Sequence, residues 1–138
     1  MPKHGRPKKS WKVEEVYDNP RTRKLINDEE IIVVDDKTGG AKGSKLSQPS
    51  FIDPVAMYEL GKVAGMGAQK YEKYNYLKGY DWSLSYNAMM RHMQQFWSGE
   101  DCDEESGLPH VIHAAWHALA LASFQLRGLG TDDRFKGN

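Results

Sequence analysis

Three stretches of the chain repeat apolar residues at helical spacing, and each carries local signals for where a helix begins or ends. The first begins at Asp53-Pro54, because aspartate caps helix N-termini and proline fits a first turn. It continues to about Tyr74 along an apolar stripe formed by Ile52, Ala56, Leu60, Val63 and Gly67. The pattern therefore predicts one long amphipathic helix in the middle of the chain.

Two further helices are predicted in the second half of the chain. Asp81 or Ser83 is expected to cap the second helix, whose apolar face is formed by Tyr86, Met89, Met90, Met93, Phe96 and Trp97. The third runs from about residue 109 to 127, with Pro109 in its first turn and Gly128 after its last. It is apolar nearly all round, which predicts that it is buried and suggests an oligomer interface.

The segments outside these helices are polar or rich in glycine. Residues 29–36, EEIIVVDD, predict one short strand or an extended segment without a partner strand. The next nine residues, KTGGAKGSK, favour a flexible linker over a phosphate-binding loop, because the spacing of a nucleotide P-loop is absent. The expected fold is mainly α: an N-terminal arm and extended segment at 1–37, a small helical domain at 38–128 and a frayed tail at 129–138.

The charge balance and the single cysteine narrow the class of protein. The chain has 138 residues, of which 19 are basic and 19 acidic, so a general affinity for polyanions is not expected. Nucleic acid is not an expected partner, since only four basic residues cluster in the arm (Lys3, Arg6, Lys8 and Lys9). Cys102 alone cannot form an internal disulfide, which fits a reducing compartment. Without an apolar run long enough for a membrane span or a signal peptide, the protein is expected to be cytoplasmic.

The candidate chemistry is concentrated where an acidic loop meets the third helix. At about 100° per residue, His110, His113 and His117 fall within roughly a 60° arc of that helix. The preceding loop carries five acids: Glu100, Asp101, Asp103, Glu104 and Glu105. The acids alone fit a solvated helix N-terminus, and any single histidine fits an ordinary core position. Together they favour a divalent-metal site, in which carboxylates suit Mg²⁺ and imidazoles shift the preference towards Mn²⁺.

The first two helices add groups that suit a nucleotide. Arg91 can hold phosphate oxygens or an acid on a neighbouring helix, and His92 lies beside it at the edge of the apolar face. Lys70 and Tyr71 near the end of the first helix are followed by an aromatic group, formed by Tyr76, Tyr80 and Trp82, that can stack on a base or pack against the second helix. This combination of charges and aromatic rings suggests a site for a nucleotide polyphosphate.

An ordered string of short motifs resembles a known family. The segments TGGAKGSK, GAQKY, GYDW, RH, GEDCDEESGLPH and HAAWHALAL, over about residues 38–125, resemble the phage dATP/dGTP diphosphohydrolase-like proteins, which are associated with the all-α MazG-like nucleoside triphosphate pyrophosphatases. The resemblance implies a metal-dependent helical bundle that cleaves a dNTP into dNMP and pyrophosphate, assembles as a dimer or tetramer, and adjusts the nucleotide pool in a phage-infected cell. The positions that match are Lys70, Tyr71, Asn75, Arg91, His92, Glu100, Asp103, Glu105, His110 and His113.

The chain departs from the MazG-like pattern of an ExxE motif on one helix and an ExxD motif on the next. Glu59 has no paired acid, and Glu100-x-x-Asp103 follows a glycine outside a clear helix. His110-x-x-His113 stands where an ExxD motif is expected. The predicted catalytic residues are Glu59, Glu100, Asp103 and Glu105. The predicted nucleotide-binding residues are Lys70, Tyr71, Asn75, Arg91 and His92, and the predicted ligands of Mg²⁺ or Mn²⁺ are Glu100, Asp103, His110 and His113.

Two functions follow from these residues. The first is a metal-dependent pyrophosphohydrolase acting on a purine dNTP in phage nucleotide metabolism. The alternative is a phage protein that binds or sequesters a nucleotide without hydrolysing it.

Overall fold

The computed structural model describes residues 30–137, and it confirms the mainly α fold. It contains three helices and a two-stranded sheet: β1 (Ile31–Val34), β2 (Ala41–Ser44), α1 (Pro54–Lys70), α2 (Trp82–Trp97) and α3 (His110–Arg127). Two short 3-10 turns, at Pro49–Phe51 and Asn75–Lys78, flank α1. The basic cluster predicted in the arm, from Lys3 to Lys9, lies outside the described residues.

The predicted strand has a partner, so the interpretation of KTGGAKGSK as a flexible linker is wrong. β1 pairs antiparallel with β2, from Ile31 opposite Ser44 to Val34 opposite Ala41. Asp35 closes the turn between them, because one of its carboxylate oxygens accepts hydrogen bonds from the backbone N–H groups of Lys37 and Thr38. These bonds hold the pKa of Asp35 below its ordinary value. The glycine-rich run is the turn and second strand of a hairpin.

Helix α1 begins as predicted and ends four residues early. The Asp53 carboxylate accepts hydrogen bonds from the backbone N–H groups of Val55 and Ala56, which is the expected cap. The last helical residue is Lys70, and Tyr74 then adopts a left-handed backbone conformation with φ 59°. Because a non-glycine residue rarely adopts this conformation, the chain leaves the helix in a constrained turn. That turn forms one wall of the site described below.

The first turn of α2 is completed by a distant part of the chain, and neither Asp81 nor Ser83 caps it through its side chain. The Trp82 backbone N–H donates to the carbonyl of Thr131, over 3.0 Å, and the Ser83 backbone N–H donates to the Asp133 carboxylate, over 2.9 Å. The Arg134 guanidinium lies 5.0 Å from the centre of the Trp82 ring. The tail is therefore docked at residues 129–134, where a frayed segment was predicted.

Helix α3 packs against both α2 and α1, and the core lies along it. The buried side chains are Val63, Trp82, Ala114, Ala120 and Phe124, together with the polar Ser85 and His110. The prediction that α3 is buried all round is wrong for the single chain, because one face is exposed at Val111, Ala115, Ala118 and Leu119. Most of the apolar face predicted for α2 is exposed as well. Among residues 30–137, no helix combines the length and apolar content that crossing a lipid bilayer requires.

Candidate metal and nucleotide site

An open cleft of about 920 Å³ lies between the end of α1, the turn that follows it, and the facing sides of α2 and α3. It brings together seven of the predicted site residues: Lys70, Tyr71, Asn75, His92, Asp103, Glu105 and His113. A cleft of this volume is large enough for a small ligand. Groups that are separated by more than 40 positions in the sequence thus meet around one space.

The remaining predicted residues lie outside the cleft lining. Glu59 lies three turns before the end of α1 and pairs with Lys62 over 2.8 Å. Arg91 is exposed on α2 and does not line the cleft. Glu100 and His110 are not among the residues that line the cleft, and 3.5 Å separates Glu100 Oε1 from His110 Nε2.

Imidazoles from two helices meet beside the cleft, and those of His92 and His113 line it. His92 Nδ1 on α2 lies 2.9 Å from His110 Nδ1 on α3. The His92 ring also stacks on the His113 ring, with 4.5 Å between centroids and 8° between planes. His92 was predicted to bind the nucleotide, and the structure places it both at the cleft wall and within the histidine cluster. Its position could not be read from helical spacing on α3, because His92 reaches the cluster from another helix.

The donor set suitable for a cation differs from the predicted one. One ring nitrogen each of His92 and His110 and one carboxylate oxygen of Asp103 lie within 4.8 Å of one another. His110 is fully buried, and its Nε2 makes no hydrogen bond within the described part of the chain. A buried polar nitrogen without a partner is costly, and Glu100 Oε1 lies 3.5 Å from it. His110 Nδ1 is the nitrogen that faces His92, and the two imidazoles and the carboxylate fit a metal ion because imidazole nitrogens and carboxylate oxygens are common metal ligands.

The acidic loop holds Asp103 in place through a tight turn. The backbone N–H of Ser106 donates to Asp103 Oδ2 over 3.0 Å, and the backbone N–H of Asp103 donates to the carbonyl of Leu108. His113 was a predicted ligand, but its Nε2 lies 2.7 Å from Ser106 Oγ and 4.0 Å from Asp103 Oδ2. The structure thus gives His113 a hydrogen-bonded position beside the donor set.

Burial and hydrogen bonding together set the charge states of His92, His113 and Asp103. It lowers the pKa of His92 and of His113, and nearby imidazoles add to the effect. Burial alone would raise the pKa of Asp103, but the hydrogen bonds from Ser106 and the neighbouring His113 outweigh it and lower that pKa. Near pH 7 these two imidazoles are neutral and the carboxylate is charged, which are the forms that bind metals.

Two cleft residues, Ser85 and Trp116, were missed by sequence reasoning. Ser85 Oγ lies 3.1 Å from His117 Nδ1 and 2.6 Å from Tyr80 OH. Trp116 packs edge-on against Tyr76, with 5.4 Å between ring centroids, and both rings line the cleft. Helical spacing could have placed Trp116 beside the histidine stripe, but nothing local in the sequence distinguishes Ser85 from an ordinary helical serine.

The predicted aromatic group is divided between the cleft and the core. Tyr80 packs edge-on against buried Phe124, with 4.9 Å between centroids, although its side chain also reaches the cleft wall. Trp82 is buried against the docked tail. Tyr71, Tyr74 and Tyr76, with Trp116, therefore form aromatic surface available to a ligand in the cleft.

Comparisons with known proteins agree with the resemblance seen in the sequence. A family model described as "dATP/dGTP diphosphohydrolase, N-terminal" matches residues 36–134. A dATP/dGTP diphosphohydrolase of Salmonella phage PMBT28 is 36% identical over 66 residues, which cover 48% of this chain and 22% of that protein. The matched part is thus well under half of the relative's length. No solved structure matches the chain.

Proposed function

The chain belongs to the dATP/dGTP diphosphohydrolase N-terminal family, and we propose that it is a metal-dependent pyrophosphohydrolase that converts a purine dNTP into dNMP and pyrophosphate. The observation that carries the proposal is the group of His92, His110 and Asp103, of which His92 and Asp103 line the open cleft. The name of the phage relative supports dATP or dGTP as the nucleotide.

We assign the metal to the two imidazoles and the carboxylate, with Glu100 behind them. Two nitrogen donors and one oxygen donor suit Mn²⁺ better than Mg²⁺, which favours oxygen ligands. Glu100 Oε1 lies 3.5 Å from His110 Nε2 and would accept a hydrogen bond from it, and such a carboxylate fixes the orientation of a ligating histidine. When bound, the metal would polarise a phosphoryl oxygen and lower the pKa of a bound water.

The remaining cleft residues supply the other parts of the proposed reaction. Lys70 contributes a positive charge at the mouth of the cleft, which stabilises negative charge on a transferring phosphoryl group. Glu105 is exposed at the cleft and can accept a proton from an attacking water. Tyr76 and Trp116 offer an aromatic corner against which a purine can pack.

The test is to incubate the purified protein with dATP, dGTP, dCTP and dTTP in the presence of Mn²⁺ or Mg²⁺. We expect dNMP and pyrophosphate from the purine substrates, with more product in Mn²⁺. Asp103→Asn should abolish turnover, whereas Asp101→Asn, in the same loop but outside the donor set, should not. Release of orthophosphate or nucleoside would contradict the proposal. Tight dNTP binding without any product would support the alternative of a sequestering protein.

A further inference from the structure

His117 lies beside the proposed metal site but outside its donor set. It is on α3, one turn after His113, and its ring centroid is 6.2 Å from that of His92. Its Nδ1 lies 3.1 Å from Ser85 Oγ, and Ser85 Oγ lies 2.6 Å from Tyr80 OH. Ser85 is buried in the first turn of α2, so this chain of three polar groups is built into the interface between the helices.

Tyr80, Ser85 and His117 can share their protons in two orders, which differ in the proton that is left without an acceptor among residues 30–137. If Tyr80 donates to Ser85, Ser85 can donate to His117 Nδ1, and both hydroxyl protons are used. In the reverse order Tyr80 would have no acceptor for its proton within residues 30–137. The first order satisfies the phenol and leaves the imidazole proton without an acceptor, and it is the order on which the inference below rests. It leaves His117 Nδ1 as an acceptor, so the ring proton is on Nε2.

The Nε2 of His117 is thereby left as a donor at the wall of the cleft. It makes no hydrogen bond to any residue between 30 and 137, and His117 is among the residues that line the space. Burial also lowers the pKa of His117 to about 4, so the ring is neutral near pH 7. No acid in the described part of the chain pairs with this neutral N–H group, so it remains available to a ligand in the cleft.

We infer that His117 donates a hydrogen bond from Nε2 to a phosphoryl oxygen of the nucleotide, and that Ser85 and Tyr80 are positioning residues that fix its tautomer. The role deepens the proposed function and rests on it. A phosphoryl oxygen is favoured over a base, because His117 shares the helix stripe of His113 and lies next to His92, where phosphates would reach the metal. The aromatic corner at Tyr76 is the separate place for the base.

The tautomer can be measured without turnover. In ¹H–¹⁵N spectra of the imidazoles of the full chain, we expect the His117 proton on Nε2 in the wild type. Ser85→Ala removes the donor to Nδ1 and should produce a mixture of tautomers, and Tyr80→Phe, which keeps the packing against Phe124, should produce a smaller change. Thermal unfolding of each variant reports whether the fold is retained. A wild-type spectrum with the proton on Nδ1 would overturn the assignment.

Binding of inorganic tripolyphosphate with Mn²⁺ tests the contact itself. His117→Leu should weaken binding about three- to tenfold, which corresponds to one hydrogen bond. His117→Gln, whose amide can donate from a similar position, should recover most of the loss. Unchanged binding in His117→Leu, or no binding by the wild type, would overturn the inference.

The two proposals fail in different ways. If the wild type binds tripolyphosphate through His117 but releases no pyrophosphate from any dNTP, the proposed reaction is wrong and the phosphate contact stands. If it hydrolyses dNTPs and His117→Leu leaves KM, kcat and tripolyphosphate binding unchanged, only the role of His117 is wrong.

Discussion

His92 and His110 come from different helices and point ring nitrogens at each other across 2.9 Å. In the absence of a cation, one of the two nitrogens must carry a proton for this contact to be a hydrogen bond. With a cation, both can be unprotonated and share it. The pair can thus be a hydrogen bond or, as proposed, two ligands of one cation. His92 is then a proposed metal ligand as well as a predicted nucleotide-binding residue.

Substitution of His92 separates these roles. We expect His92→Ala to weaken Mn²⁺ binding by about tenfold or more, since loss of a ligand costs at least as much as loss of a group that orients one. Arg91→Ala is the matched control, because Arg91 is the neighbouring residue on α2 and lies outside the cleft lining. Isothermal titration of both variants with Mn²⁺ is the measurement. Equal loss in both variants would contradict the assignment.

Three partly buried histidines, His92, His113 and His117, also make stability depend on pH. The pKa of His117 falls from 6.5 to about 4 on folding. Between these values the unfolded chain binds more protons than the folded chain, so the free energy of unfolding decreases as pH falls from about 6.5 to about 4. His92 and His113, whose pKa values are also lowered, act in the same direction.

Denaturant unfolding of the metal-free protein at several pH values gives the slope of the free energy of unfolding against pH. His117→Gln cannot titrate, so its stability should depend less steeply on pH in this range. A slope identical to that of the wild type would show that His117 does not contribute.

At the scale of elements, the helices were predictable and the contacts between them were not. Asp53 capping α1 and Gly128 ending α3 are local signals, and both are confirmed. The cap of α2 failed as a prediction because Asp133, which accepts from the Ser83 backbone, is 50 positions away. The second strand was missed because its residues, AKGS, have little β propensity and form a strand only by pairing with β1.

Removing the Asp133 carboxylate tests this distant cap. Asp133→Ala should lower the melting temperature, because the Ser83 N–H and hydroxyl both lose their acceptor. The contact also keeps the pKa of Asp133 below its ordinary value, so its contribution to stability is lost as pH falls through that lowered pKa. Asp133→Asn keeps an acceptor and should be milder. Additive effects of Asp133→Ala and Ser83→Ala in a double-mutant cycle would argue against the contact.

At the scale of the whole molecule, the single chain leaves much apolar surface uncovered. Leu119 is 52% exposed, and the face of α3 that it shares with Val111, Ala115 and Ala118 has no cover from residues 30–137. Trp97 at the end of α2 is 87% exposed. Proteins that remain monomeric rarely expose large contiguous apolar patches. The expected homo-oligomer stays a prediction, and α3 is where it can be tested.

Light scattering coupled to size-exclusion chromatography should give a mass above that of one 15.7 kDa chain. Leu119→Glu, which places a charge on the exposed face, should shift the mass towards that of the monomer, while Glu104→Gln in the loop should not. A wild-type mass of one chain would contradict the expectation.

The docked tail also determines when, during synthesis of the protein, the first turn of α2 can fold. The groups that complete the first turn of α2 are Thr131 and Asp133, so the ribosome must release nearly all of this sequence before that turn can close. Ser85 lies in the same turn, and His92 follows two turns later on the same helix. A nascent chain arrested before residue 131 would therefore contain every proposed metal ligand, but the first turn of α2, the helix that carries His92, would lack its hydrogen-bond partners.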